Sequence, residues 1–195
     1  GSNGQMPPME EAMGGCSSTG NQAVSGTVQK KTRPPQRLEG AGFTIVDIMS
    51  GIPHSTLDPF LIWHELPRKL NKPGEMKGAP LHPHRGFCEC PYVKEILGKD
   101  GPSSLDAMLG RDHEGNQHTA RSGDFEVGQV GQGFMHEGMI DKRWTGYLHL
   151  FQLWINLPRA HKMDPPKVIN CASDKLPIAR PSPGVAVKVL LGADV

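Results

Sequence analysis

From Gly42 onward the chain never runs far without a turn signal, and that punctuation limits its fold more than any other feature. Gly and Pro number 24 and 18 in 195 residues. They separate a series of short apolar stretches: GFTIVDIMSG (42–51), LDPFLIWHEL (57–66), FCECPYVKEI (87–96), FEVGQVGQGFMHEGM (125–139) and GYLHLFQLWINLP (146–158). Long helical patterns are few, so short strands at regular spacing are expected, closing into an all-β sandwich or small barrel. LPRKLNKPGEMKGAP (66–80) reads as a polar loop. KDGP, HEGN and RSGD mark turns between further short strands across 98–124, and a last strand is expected over 184–195. No internal repeat is evident.

The length suits one domain with a tail to spare. Residues 1–36 carry few large apolar side chains and no period, so a disordered tail is expected there, its opening Gly-Ser reading as a cloning remnant. The basic run KKTRPPQR (30–37) is either a nuclear address or a solvated surface stretch. A formal net charge of +1 gives no electrostatic reason to expect a nucleic-acid or membrane surface. No apolar run approaches the roughly 18 residues of a spanning helix, and no signal peptide opens the chain, which therefore reads as soluble. The cysteines are Cys16, Cys88, Cys90 and Cys171. Cys88 and Cys90, two apart on a strand, are poorly placed for a mutual disulfide. A reduced compartment is expected, with both thiols packing rather than binding zinc, because a second cysteine pair is lacking.

The chemistry concentrates in APLHPHRGFCEC (79–90). In an extended segment His82 and His84 project from one face, and Pro83 biases His82 towards that conformation. Two such imidazoles can share a metal ion, although HxH alone is weak evidence. Glu89 follows His84 by five residues, and GQGFMHEG (131–138) delivers His136 with Glu137 beside it. A barrel brings distant strands side by side, so His136 can close the site. Three neutral imidazoles and a carboxylate with open positions suit divalent iron, with manganese, nickel, copper or zinc as substitutes. Among the remaining histidines, His54, His113, His118 and His161 read as exposed. His64 and His149, in apolar strands, read as hydrogen-bonded core residues.

LDPFLIWHEL, HPHRGF, GQGFMHEGM and FQLWINLPRAHKMDPPKV, in this order, resemble the pirin family of the cupin superfamily from about residue 38 to the end. The resemblance implies a cupin barrel of the double-stranded β-helix or jelly-roll type, with an iron site held by His82, His84 and His136. It divides the chain into the tail at 1–36, an N-terminal barrel at 37–160, and a linker with the first strand of a missing second barrel at 161–195. An apolar face left bare by that missing barrel predicts self-association. Family members carry a glutamate two residues after the third histidine, where this chain has Gly138. They also have Glu straight after HRGF, where this chain has Cys88. The carboxylate is therefore Glu137, turned inward by a β-bulge, or Glu89, or absent.

The resemblance implies cytoplasmic or nuclear protein, Fe(II)/Fe(III) as cofactor, and quercetin dioxygenase chemistry on a flavonol-like aromatic. Glu137 would then be the metal ligand or the base that takes a substrate proton. The alternatives are a non-enzymatic, iron- and redox-sensing coregulator that reaches DNA only through a transcription factor partner, and a degenerate cupin without a complete metal site.

Overall fold

The computed structural model describes residue 31 and residues 33–192. Most of the expected tail, Cys16 and the start of the basic run lie outside the described residues. Thr32–Leu176 form one compact unit. Its strands are β1 (Gln36–Glu39), β2 (Phe43–Asp47), β3 (Phe60–Asn71), β4 (Ala79–His84), β5 (Phe87–Gly98), β6 (Met108–Asp112), β7 (Gln117–Ala120), β8 (Phe125–Gln129), β9 (Phe134–Ile140), β10 (Gly146–Asn156) and β11 (Lys167–Cys171). Seven of them form a sheet in the order β1-β2-β3-β10-β5-β8-β11, and four form a second, β4-β9-β6-β7. No α-helix occurs among the described residues, and none is long and apolar enough to cross a membrane.

The stretch expected as a loop from residue 66 is strand as far as Asn71. Gly146 pairs with Asn71 and Leu150 with Leu66, and a register shift between Leu148 and Leu150 absorbs the extra residue around Pro67. A bulge frees the proline from donating to the ladder, which is how LPRKLN continues a strand despite its polar composition. At the other end, β11 lies in the stretch expected as linker and pairs in register with β8, Val168 opposite Gly128.

Two apolar clusters fill the unit. One gathers Val93, Ile96, Ile140, Trp144, Leu148 and Leu150. Within it the Trp144 indole donates a 2.9 Å hydrogen bond to the buried Asp106. The other is Phe87, Val130 and Phe134, with Trp154 packed against it. Phe87 and Trp154 stack at 4.2 Å, and both meet the edge of the His84 ring, at 5.3 and 5.0 Å. The HPHRGF segment thus sits on aromatic packing that restricts its rotamers.

The turn after His84 is held from three sides. Gly86 adopts φ +81°, a left-handed conformation that a side chain would strain, and its amide donates to the Gly131 carbonyl at 2.8 Å. Lys162 donates to the Gly86 carbonyl at 2.7 Å and to the Asn156 side chain at 2.5 Å. A Cβ on Gly131 would lie 2.0 Å from the Asp164 carbonyl oxygen, so only glycine permits that approach.

Residues 177–192 belong to the other unit, described by itself. In place of a single strand over 184–195 it holds a hairpin of β12 (Ile178–Ser182) and β13 (Val185–Lys188), with Ser182 opposite Val185 across Pro183-Gly184.

Candidate metal centre

β4 and β9 are antiparallel neighbours, and their register sets His82 directly opposite His136. His84, two residues on, shares the face of His82. The three rings form a triangle with centroid separations of 4.6, 4.7 and 5.0 Å. One nitrogen of each lies within 4.8 Å of the other two.

The state of these imidazoles follows from their surroundings. His82 Nδ1 is 2.6 Å from the Pro80 carbonyl, which can only accept, so Nδ1 donates there and Nε2 is the nitrogen left for the cluster. Burial, followed by the charge of His82, lowers the His84 pKa to about 4. Burial, followed by His82 and His84, lowers that of His136 to about 3. Both rings are neutral at physiological pH, the form that ligates metal.

The carboxylate that meets two of these rings, His84 and His136, is Glu89. It lies on β5, between β10 and β8, and is fully buried. Its Oε2 accepts a 3.3 Å hydrogen bond from Gln152 and lies 3.4 Å from His84 Nε2, while its Oε1 is 3.0 Å from His136 Nε2. The 3.0 Å contact is not a hydrogen bond: Glu89 Oε1, His136 Nε2 and His84 Nε2 are all buried without a hydrogen-bond partner. Buried polar atoms are ordinarily satisfied, so three orphans facing one void make a candidate donor set for a cation. Burial first, then the neighbouring Glu126, pushes the Glu89 pKa up to about 8.

Glu137 also borders the cavity described below, but its carboxylate is paired differently. The β6–β9 register runs unbroken from Met108–Ile140 to Asp112–His136, and the irregularity in β4–β9 falls between Ala79 and His82. No bulge in β9 turns Glu137 inward, and its carboxylate lies 3.5 Å from Arg111, its cross-strand partner. Gly138 contributes no side chain.

The structure also places a pair that the sequence reading missed. His118, expected to be exposed, is half-buried on β7, its Nε2 2.7 Å from Oε2 of the buried Glu126 on β8, and that hydrogen bond raises its pKa. His64 is buried against Glu39 at 2.9 Å, and His149 bonds Glu65 at 2.8 Å, as expected of core histidines. Cys88, Cys90 and Cys171 are free thiols, and burial pushes that of Cys90 up to about 12, out of reach of thiolate chemistry.

The three histidines and Glu89 border a cavity of about 710 Å³ whose walls include Ile62, Leu66, Val93, Met108, Leu148 and Trp154. An apolar chamber with a polar cluster on its wall is the form of a small-molecule site.

A family model described as Pirin matches residues 43–155. The chain belongs to the pirin family. Pirin-1 of Arabidopsis thaliana is 31% identical to it over 172 residues, which are 88% of this chain and 53% of that protein. This pirin-family chain spans about half the length of the curated relatives it matches. A quercetin 2,3-dioxygenase from Acinetobacter baumannii aligns with 77% of this chain and 50% of its own at a TM-score of 0.63 and 24% identity. A bacterial pirin from Escherichia coli, solved in complex with nickel(II), aligns over 70% and 53% at a TM-score of 0.50 and 17% identity. The fold of this pirin-family chain is the expected all-β, pirin-like cupin barrel.

Proposed function

We propose that His82, His84, His136 and Glu89 hold a divalent metal ion, and that this barrel is the metal-binding part of a dioxygenase acting on a flavonol-like aromatic. The observation that carries the reading is the convergence of three unpartnered buried atoms, His84 Nε2, His136 Nε2 and Glu89 Oε1, beside the His82 ring, whose Nδ1 is taken by Pro80. Glu89, rather than Glu137, is the proposed carboxylate. Three imidazoles and one carboxylate fit Fe(II), the proposed resident ion, and also manganese, nickel, copper or zinc. A bound ion would supply Lewis acidity and a binding point for substrate oxygens.

The protein's own part is positioning and exclusion of water. The apolar wall formed by Val93, Met108 and Leu148 takes up an aromatic body, and Gln152 fixes the Glu89 carboxylate through Oε2, leaving Oε1 to the cluster. The donor set comes from a histidine-bearing sheet and a glutamate-bearing sheet, so the cavity floor is assembled only when the barrel is closed.

Metal analysis of freshly purified protein, followed by aerobic loss of flavonol absorbance, tests both halves. The expected result is near one iron per chain and a metal-dependent loss that His84→Ala abolishes. Protein that neither contains nor takes up a divalent metal would be a degenerate cupin. Metal binding without turnover leaves a second reading, a metal-dependent coregulator of cytoplasm or nucleus that meets a transcription factor. That reading is favoured by the exposed Phe60, Trp63 and Leu70 on β3, and it requires partner binding to differ between loaded and metal-free protein.

A further inference from the structure

Glu126 is a second carboxylate within reach of the same void. One of its oxygens, one of Glu89 and one nitrogen of His136 lie within 4.8 Å of one another. Glu89, fully buried, and His136 both present unpartnered atoms there. Glu126 is buried on the wall of the same cavity, and a glutamate side chain has several staggered rotamers. What holds it is His118, whose Nε2 engages Glu126 Oε2 at 2.7 Å from β7 of the opposite sheet. The His118 ring reaches across β6 at Gly110, where a Cβ would come within 2.1 Å of its Cε1. The missing side chain at 110 is what lets the ring lie there.

We propose that His118 holds Glu126 back from the histidine cluster, so that a metal ion receives four protein donors rather than five and keeps a position open for an oxygen-bearing ligand. This rests on the metal-site reading above. A divalent cation in a low-dielectric cavity attracts every carboxylate within a few ångströms, and an anion not otherwise engaged joins its coordination shell. His118 supplies the competing partner for Glu126, and at 2.7 Å it holds that carboxylate more closely than Gln152, at 3.3 Å, holds Glu89. Three imidazoles and two carboxylates would nearly saturate a first-row ion, and an incoming ligand would then have to displace one of them. His118 is thus a positioning residue: it acts on ligand access through Glu126.

The test uses Co²⁺, whose visible d–d absorption weakens as donors are added, with azide as the added ligand. In His118→Ala, Co²⁺ should bind on the order of tenfold tighter, the scale on which outer groups tune metal sites. The d–d bands should weaken, and azide binding should fall by a similar factor. Adding Glu126→Gln in the same chain should return all three to wild type, whereas Glu126→Gln alone should leave the wild-type spectrum. Gly110→Ala, which pushes the same ring aside, provides an independent route if His118→Ala fails to fold. Unchanged or weaker Co²⁺ binding in His118→Ala, or a double variant that does not revert, overturns the proposal. Wild-type protein that takes up no Co²⁺ overturns the metal-site reading and this inference with it.

Discussion

Gly128 stands opposite Glu89 in the β5–β8 pairing, and a Cβ there would lie 3.2 Å from Glu89 Cγ. The bare backbone on β8 is what gives the Glu89 side chain its path towards the histidines. Gly128→Val should crowd that path and misdirect the carboxylate. Divalent-metal affinity measured by titration calorimetry should fall by about ten- to a hundredfold, with the circular dichroism of the barrel retained.

The two candidate carboxylates separate cleanly. Glu89→Gln removes the only anion among the four proposed donors, and metal affinity by equilibrium dialysis should fall at least tenfold. Glu137→Gln removes a half-exposed partner of Arg111, an interaction worth at most about 1 kcal/mol, and should leave metal affinity within about twofold. Equal losses in both variants would contradict the assignment.

Protonation gives a third prediction. The folded-state pKa of Glu89, about 8, lies above its ordinary value of 4.5, so metal-free protein keeps the proton at neutral pH while the unfolded chain does not. Its contribution to stability is complete below pH 4.5 and is lost as pH rises through 8. His84 and His136 are lowered from 6.5 to about 4 and about 3. Their contribution is complete above 6.5 and is lost as pH falls through those values. As regards these groups, metal-free protein should be most stable near pH 6.5. Metal uptake at pH 7 should release about one proton, from Glu89. Calorimetry in buffers of different ionisation enthalpy reads this number, which should fall towards zero above pH 9.

Away from the site, Trp144→Phe keeps the ring in its cluster but strips Asp106 of its 2.9 Å indole donor. Leaving a buried acceptor unsatisfied costs about 1–3 kcal/mol. Chemical denaturation should show that loss with an unchanged slope.

Much of this was legible in the sequence. The turn punctuation located the strands, and Pro83 between His82 and His84 was enough to set both rings on one face, because alternation is a local property of an extended chain. His136 was recognisable through its setting after the double glycine. The choice between Glu137 and Glu89 was left open, because it depends on a register difference. The irregularity that could have turned Glu137 inward sits around Pro80-Leu81 on β4 rather than on β9, and no local pattern says which strand of a pair will bulge. His118 was misjudged for a related reason. Its segment reads as a polar turn, and its burial comes from a glycine eight residues earlier on the neighbouring strand and a glutamate on the other sheet.

The histidines arrive on β4 and β9 of the four-stranded sheet, and Glu89 arrives on β5 of the seven-stranded one. An ion bound to all four would therefore act mechanically as a bolt through the barrel wall. Its loss would loosen the seam between the sheets, and amide exchange would quicken first along β4 and β9, on the side carrying most of the ligands.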